Sequence, residues 1–378
     1  MNISFTTNIC AHYNVGTFEA LARYYQMDYF FYSAGDEWYW QQQHGVNSGN
    51  FKYEYLPGFT FGQTRVTPSL PGKLLQGKYD VYIKCINGRF ALPVTYFVAR
   101  LRQKPFILWT GIWTRIHTPA HRLFFPVTRY IYRHSDAIVV YGDHTKNYLV
   151  TEGVSPDKIF VAPHVVKNEA YNRTISEEEK SSLRARLNIH VDQKVILYLG
   201  RLEEIKGLPY LLRAFQMLEA DTTVLILAGN GGLRSSLENL AKELGISDRI
   251  RFAGYVSPEN APPFYSLASV FVLPSISVPT GKELWGLVVN EAFNQGVPVI
   301  ATTAVGAAAG GLVQDGVNGM IVPEKDSYSL KEALRRILSN NDLRLNMGKN
   351  ASETIAAWNY ERNVVGYREA IDFVTKKA

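Results

Sequence analysis

KVILYLGRLEEIKGLPYLLRAF, residues 194–215, reads as a strand, a charged loop and a helix in immediate succession. Its first six residues after the lysine are continuously apolar, as in a strand buried on both faces of a parallel sheet. The helix candidate that follows is amphipathic, and Gly207-Leu208-Pro209 marks its start. The same unit recurs downstream. TVLILAG (223–229), IRFAG (250–254), SVFVLPS (269–275), PVIAT (298–302) and GMIVP (319–323) are short apolar runs. Helix-like segments such as LRSSLENLAKELG and LVVNEAFNQ separate them, and Gly245 and Gly296 sit at C-cap positions. Strands alternating with amphipathic helices predict a doubly wound α/β sheet. The first half repeats the pattern less regularly, with strand candidates in MNISFTT, DYFFYSA, YDVYIKC, PFILWTG, AIVVYG and KIFVAPH. The fold expected is two Rossmann-like domains, 1–170 and 171–357, facing across a cleft. The polar stretch KNEAYNRTISEEEK (167–180) is the expected linker, and a terminal helix (358–378) is free to pack on either half.

At 378 residues and 46% hydrophobic composition, the chain has apolar material for two cores. Cys10 and Cys85 are its two cysteines, which fits a reducing compartment and no metal spacing. No leader-like opening and no apolar run of spanning length is read, so the expected location is cytoplasmic. Charge is uneven: residues 1–170 carry 17 Lys/Arg against 11 Asp/Glu, whereas residues 171–378 balance at 23 and 23. Between Asp80 and Asp136 there is no acid at all, while arginines and lysines recur. Such a zone attracts anions, whether phosphate, nucleic acid or an acidic membrane surface.

Asp-x-Asp, GxxxxGK[ST], GxGxxG and GxSxG are all missing from the sequence. A diphosphate ligand would therefore have to meet cationic side chains, backbone N–H groups and helix ends. Arg201 and Lys206 lie at the carboxyl end of the KVILYLG strand, where they can clamp phosphates or simply pair with Glu203 and Glu204. In KELWGLVVNEAFNQGVPV (282–299), Gly286 breaks the helical period, so a helix is expected from about Leu287 to Gly296. Glu283 then precedes the helix and Glu291 lies one turn inside. Carboxylates accept hydrogen bonds from vicinal sugar hydroxyls, and free N–H groups at a helix start attract phosphate. Taken singly, each glutamate also reads as ordinary helix-end chemistry.

The order GRLEEIKG, LILAGNGG, RFAGYVS, VLPS, ELWGLVVNEAFNQGVPVIAT, DGVNGMIV resembles the C-terminal domain of family-4 glycosyltransferases, retaining enzymes of the GT-B type, over about residues 194–325. The resemblance implies that Arg201 and Lys206 contact a donor diphosphate. It implies that Glu283 contacts the transferred sugar and Glu291 the ribose, as the two glutamates of an E-x7-E motif. It further implies that the backbone of Leu284, Trp285, Gly286 and Leu287 holds phosphate and sugar hydroxyls, and that the base sits at Gly254-Tyr255-Val256. No metal or other cofactor is implied, since the nucleotide sugar is itself the substrate. The chain departs from the family at AVGAAAGGLVQ, where relatives often carry a glutamate or similar polar residue. It departs again at HYNVGTFEA, where Gly16 is the only candidate for a glycine-rich donor loop.

The resemblance assigns the acceptor to the first domain, where cations and aromatics interleave from Phe106 to Arg133. Trp113, Arg115 and His117 are the acceptor or sugar candidates, and the DEWYW stretch (36–40) is a further one. A helix buried through its aromatics, with arginines reaching out to water, accounts for the same residues. The reading is a metal-independent hexosyltransferase moving sugar from a nucleoside-diphosphate sugar to a saccharide or lipid-linked acceptor, in polysaccharide, glycolipid or cell-surface glycan synthesis. Peripheral contact with an anionic inner membrane face is expected and nucleic acid is not. Alternatives are a nucleotide-sugar 2-epimerase or a non-catalytic nucleotide-sugar-binding subunit.

Overall fold

The computed structural model describes residues 1–33, 49–62, 64–218 and 222–376. The DEWYW stretch lies outside them. The chain divides into two compact units, Met1–Val166 together with the segment from Tyr360 onward, and Lys167–Asn359.

In the first unit, β1 (Asn2–Thr7), β2 (Gln26–Phe31), β3 (Tyr53–Tyr55), β4 (Phe59–Phe61), β5 (Thr64–Val66), β6 (Val81–Cys85), β7 (Phe106–Thr110), β8 (Ala137–Val140) and β9 (Ile159–Val161) are the strands described. Seven of them form a parallel sheet in the order β3-β2-β1-β6-β7-β8-β9, and β4 and β5 pair as a small antiparallel ribbon. The second unit contains β10 (Lys194–Leu199), β11 (Thr223–Ala228), β12 (Ile250–Gly254), β13 (Val270–Leu273), β14 (Val299–Thr302) and β15 (Gly319–Val322). They form one parallel sheet, β12-β11-β10-β13-β14-β15. Each apolar run read as a strand from sequence is one. The pieces missed, β3 to β5, are three residues long and half-exposed or exposed, so they carry no buried-strand signal.

In both sheets the chain builds outward to one side of its first strand, then returns to build on the other. The reversal falls between β1 and β6 in the first unit and between β10 and β13 in the second. Loops leaving the carboxyl ends of such a strand pair diverge, which opens a crevice there.

One expectation is corrected, and one open alternative is narrowed. The stretch 167–180 is no linker but part of the second unit: it forms the helix Asn168–Tyr171, and Asn168 Nδ2 donates to the carbonyls of Ile355 (3.1 Å) and Trp358 (3.2 Å). Ser176 and Glu179 then close a capping box on the helix Glu177–Arg186. The helix Pro119–His134, read as either buried or surface-seeking, buries only Ile131 and Tyr132.

The terminal helix Tyr360–Lys376 belongs to the first unit. Val364, Tyr367, Ala370, Ile371 and Val374 enter the core beside Phe5 and Trp109. Gly366 lies directly over the backbone of β9, where a Cβ would overlap the Val161 carbonyl oxygen. Gly366→Ala is expected to cost about 1–3 kcal/mol through forced overpacking. Urea denaturation should register the loss, and unchanged stability would show that the helix is not seated this closely.

Candidate active site

β10 is the strand at which the second sheet reverses, and the chain leaves it through Gly200-Arg201 into the turn Glu204–Lys206. β13, its neighbour, leads through Pro274 and Ser275 toward Glu283. These two loops are tied together. The Ile276 N–H donates to the Ile205 carbonyl at 2.8 Å. Gly207, at φ +63°, passes so near Pro274 that a Cβ would overlap its carbonyl oxygen. This close approach delivers Lys206 Nζ to Glu283 Oε2, to which it donates a hydrogen bond within an ion pair.

That pair is largely shielded from water, with the two side chains 12% and 15% exposed. Burial alone pushes the Glu283 carboxyl up. The Lys206 ammonium outweighs burial, helped by Arg201 and by Ser275 Oγ, which donates to Glu283 Oε2 at 3.2 Å; together they hold the group below the usual carboxylate range. Glu283 is thus an anion at neutral pH. Arg201 itself is exposed and pairs with Glu203 at 2.8 Å. The sequence therefore brings Lys206 and Glu283 into contact and leaves Arg201 beside them in a solvent-screened pair.

From Glu283 the backbone runs beside the segment after β14. Glu283 bridges to Val305, the Gly306 N–H donates to the Glu283 carbonyl (3.1 Å), and the Ala307 N–H donates to that of Trp285 (2.7 Å). The AVGAAAGG segment makes this contact. A Cβ on Gly306 would overlap the Leu284 carbonyl, so small residues let the two backbones meet. Leu284 is exposed, whereas the Trp285 ring is buried, donating to Asn290 Oδ1 at 2.9 Å and packing on Trp358. Gly286, at φ +93°, turns the chain into the helix Val288–Asn294, whose cap residue Leu287 offers no side-chain acceptor to the first-turn N–H groups.

Glu291, inside that helix, is buried and accepts from Tyr265 Oη at 2.8 Å. Burial raises its pKa to about 7 despite hydrogen bonds from Tyr265 and Tyr171. At the carboxyl end of β12, Gly254 takes φ +71° and its carbonyl accepts from the Gly229 N–H (2.6 Å), while Tyr255 stands partly exposed and Val256 half-buried.

In the first unit, Gly16 is the second residue of the helix Val15–Ala22, and a Cβ there would overlap the ring of Tyr360. Its lack of a side chain is used for helix packing. Trp113 follows β7, with its ring edge-on to His144 at 5.1 Å. The Arg115 guanidinium lies over Phe125 at 4.4 Å, and His117 is exposed.

Sequence reasoning missed Glu324, just beyond β15. Its carboxylate accepts from both the N–H and the hydroxyl of Ser277, each at 2.5 Å, and so pins the loop that carries Glu283. It also missed the two tyrosines on Glu291, one of them inside the supposed linker. Neither position has a local signature, because the partners are 26 to 120 residues apart in the chain.

Residues 179–354 match the family model described as "Glycosyl transferases group 1". The chain is 32% identical over 200 residues to an uncharacterized glycosyltransferase of Methanocaldococcus jannaschii, covering 53% of this chain and 50% of that protein. It is 34% identical over 172 residues to the lipopolysaccharide core biosynthesis glycosyltransferase LpsE of Rhizobium meliloti, covering 46% and 47%. The match thus spans about half the length of these curated relatives. The crystal structure of Anabaena HepE in complex with UDP superposes with a TM-score of 0.78 at 18% identity, over 98% of this chain and 100% of that one. The second unit therefore carries the group 1 glycosyltransferase pattern, and the chain has the GT-B fold of two Rossmann-like domains.

Two predictions concern this site before any ligand. Glu291 has a folded pKa above its unfolded one, so its stabilising effect is complete below about pH 4.5 and is lost as pH rises through about 7. Relative to Glu291→Gln, the native chain should lose roughly 3 kcal/mol at most between pH 5 and 8 in urea melts. A constant difference would place the carboxyl in water. Glu324→Ala should speed amide exchange across 276–283 by about tenfold, the worth of one or two charge-assisted hydrogen bonds; native protection in the variant would remove its pinning role.

Proposed function

We propose that the chain is a retaining glycosyltransferase that moves a hexosyl group from a nucleoside-diphosphate sugar to a saccharide or lipid-linked acceptor without a divalent metal. The observation that carries this reading is the contact between Lys206 and an ionised Glu283 at the strand reversal of the second sheet. A lysine ammonium has three N–H donors. One is spent on Glu283, and the others are available to oxygens of a donor diphosphate. Arg201, in a partly exposed pair with Glu203, can exchange that partner for phosphate at small cost. The first-turn N–H groups after Gly286 supply further positive potential.

The bond from the anomeric carbon to the phosphate oxygen breaks, and its electrons leave with the nucleotide. Lys206, Arg201 and the helix start stabilise that departing anion. Positive charge develops on the anomeric carbon, and the Glu283 carboxylate supports it by position and by accepting from a sugar hydroxyl. The acceptor hydroxyl forms the new bond on the face the nucleotide left, and its proton passes to the departing phosphate. Glu291 accepts from the ribose hydroxyls, and Gly254-Tyr255-Val256 lies where the base is held. A uridine nucleotide is the first donor to try, because the Anabaena protein of the same fold was crystallised with UDP.

The test is a thermal-shift panel of UDP-, GDP-, ADP- and dTDP-sugars, followed by product analysis with the stabilising donor. Lys206→Ala and Glu283→Gln are expected to cut transfer more than about a hundredfold while circular dichroism stays native. Ordinary turnover by both variants would sink the site assignment. Steady transfer with inverted product stereochemistry would sink the retaining mechanism alone.

A further inference from the structure

We infer that Tyr265 and Tyr171 are positioning residues for sugar-nucleotide binding: their hydroxyls hold the Glu291 carboxylate ionised and in one orientation, so that it can accept from both ribose hydroxyls. This rests on the assignment of Glu291 to the ribose. Tyr265 lies in the helix Ala261–Leu267 and is fully buried. Its ring is tilted against Phe271 of β13 at 5.6 Å, and its Oη donates to Glu291 Oε2 at 2.8 Å. Tyr171 ends the helix Asn168–Tyr171 and also donates to Glu291. The helix that carries Glu291 holds Tyr171 in place. Asn294 Nδ2 donates to Asn168 Oδ1 at 3.0 Å, and the Gln295 side-chain amide donates to the carbonyls of Tyr171 and, at 2.9 Å, of Arg173.

A buried carboxyl needs partners, and the kind of partner decides what it can still do. Glu283 has a cation, whereas Glu291 has two neutral hydroxyls. Neutral donors favour the ionised form and fix its orientation without cancelling its charge. A carboxylate offers about four lone-pair sites, so about two stay open for a vicinal diol. Hydroxyls bind an ionised acceptor about twice as strongly as a neutral one. Burial and Glu291 together push the Tyr265 hydroxyl well up, so it keeps its proton and remains a donor.

Burial and these two tyrosines set the Glu291 carboxyl, and Tyr198 acts on Tyr265 from β10. Several elements pack against the helix Val288–Asn294. Of their charged residues, Glu169, Asp342, Lys349 and Glu353 are exposed, and Arg344 donates to Asn341 Oδ1. β13 and β14 carry none. If the ribose binds the ionised carboxyl, affinity rises with pH through about 7 and levels off above. Removing a tyrosine hydroxyl moves that midpoint up, because the charged form loses a hydrogen bond.

UDP-, GDP- and ADP-glucose are titrated calorimetrically into the full chain, and the tightest binder is followed from about pH 5.5 to about pH 9. The diphosphate of such a probe is esterified at both ends and does not titrate in this range. Native affinity should climb about tenfold between pH 6 and 9. Tyr265→Phe should move the midpoint up by about one pH unit, the worth of one hydrogen bond to a charged group. Its binding is then about tenfold weaker than native at pH 6 and nearly native at pH 9. Tyr171→Phe should move the midpoint the same way, so the outcome does not hang on the folding of one variant. Glu291→Gln should bind more weakly with a flat profile. A native midpoint in both tyrosine variants would overturn the inference, as would an equal loss at every pH, which would mark the tyrosines as packing alone. Native affinity in Glu291→Gln, or no binding by any probe, would instead overturn the ribose assignment and the inference with it.

Discussion

The ion pair between Lys206 and Glu283 is the constraint on which the second unit's chemistry rests. It exists because two adjacent parallel strands, β10 and β13, send their loops out at the point where the sheet reverses direction. The Glu283 charge would not be stable there alone, because an unpaired buried carboxylate shifts toward its neutral form. Beside Lys206 the carboxyl stays ionised, and Ser275 donates a further hydrogen bond to it. Such a pair adds little net stability compared with apolar packing. It gives the site a fixed anion and a fixed cation in contact, with little solvent to screen them.

The surroundings of that pair are built mainly from backbone. Close approach at Gly207 sets the distance between the two loops, and close approach at Gly306 sets the path of residues 283–285. Trp285 anchors the turn by burying its ring against Trp358, while its carbonyl accepts from the Ala307 N–H. Glu324 holds the far side of the loop through Ser277. The two glutamates of the E-x7-E spacing therefore live in opposite electrostatic settings. Glu283 is held charged by cations, and Glu291 is pushed toward neutrality by burial with tyrosines as its partners.

The first unit shares the strand order but not the site. Its reversal, between β1 and β6, has no counterpart of the Lys206–Glu283 pair among the described residues. Gly16, the one glycine that could stand in for a family loop, serves to seat Tyr360. Of the acceptor candidates, the Trp113 ring lies edge-on to His144, the Arg115 guanidinium lies over Phe125, and His117 is exposed.

Every buried strand was legible in the linear sequence, because a strand covered on both faces must be apolar throughout and a short apolar run bounded by glycine or proline shows it. The positions of Arg201, Lys206, Glu283 and Glu291 relative to strand ends were legible for the same reason. Their partners were not. That Lys206 meets Glu283, that Tyr265 and Tyr171 cover Glu291, and that the stretch 167–180 joins the second unit depend on distances between segments far apart in the chain. The seat of the terminal helix was likewise undecidable from its periodicity, which shows that one face is apolar but not which core receives it. Local pattern determined the elements and their order; packing between distant elements, through burial and close backbone contact, decided which charges pair and which apolar faces stay in water.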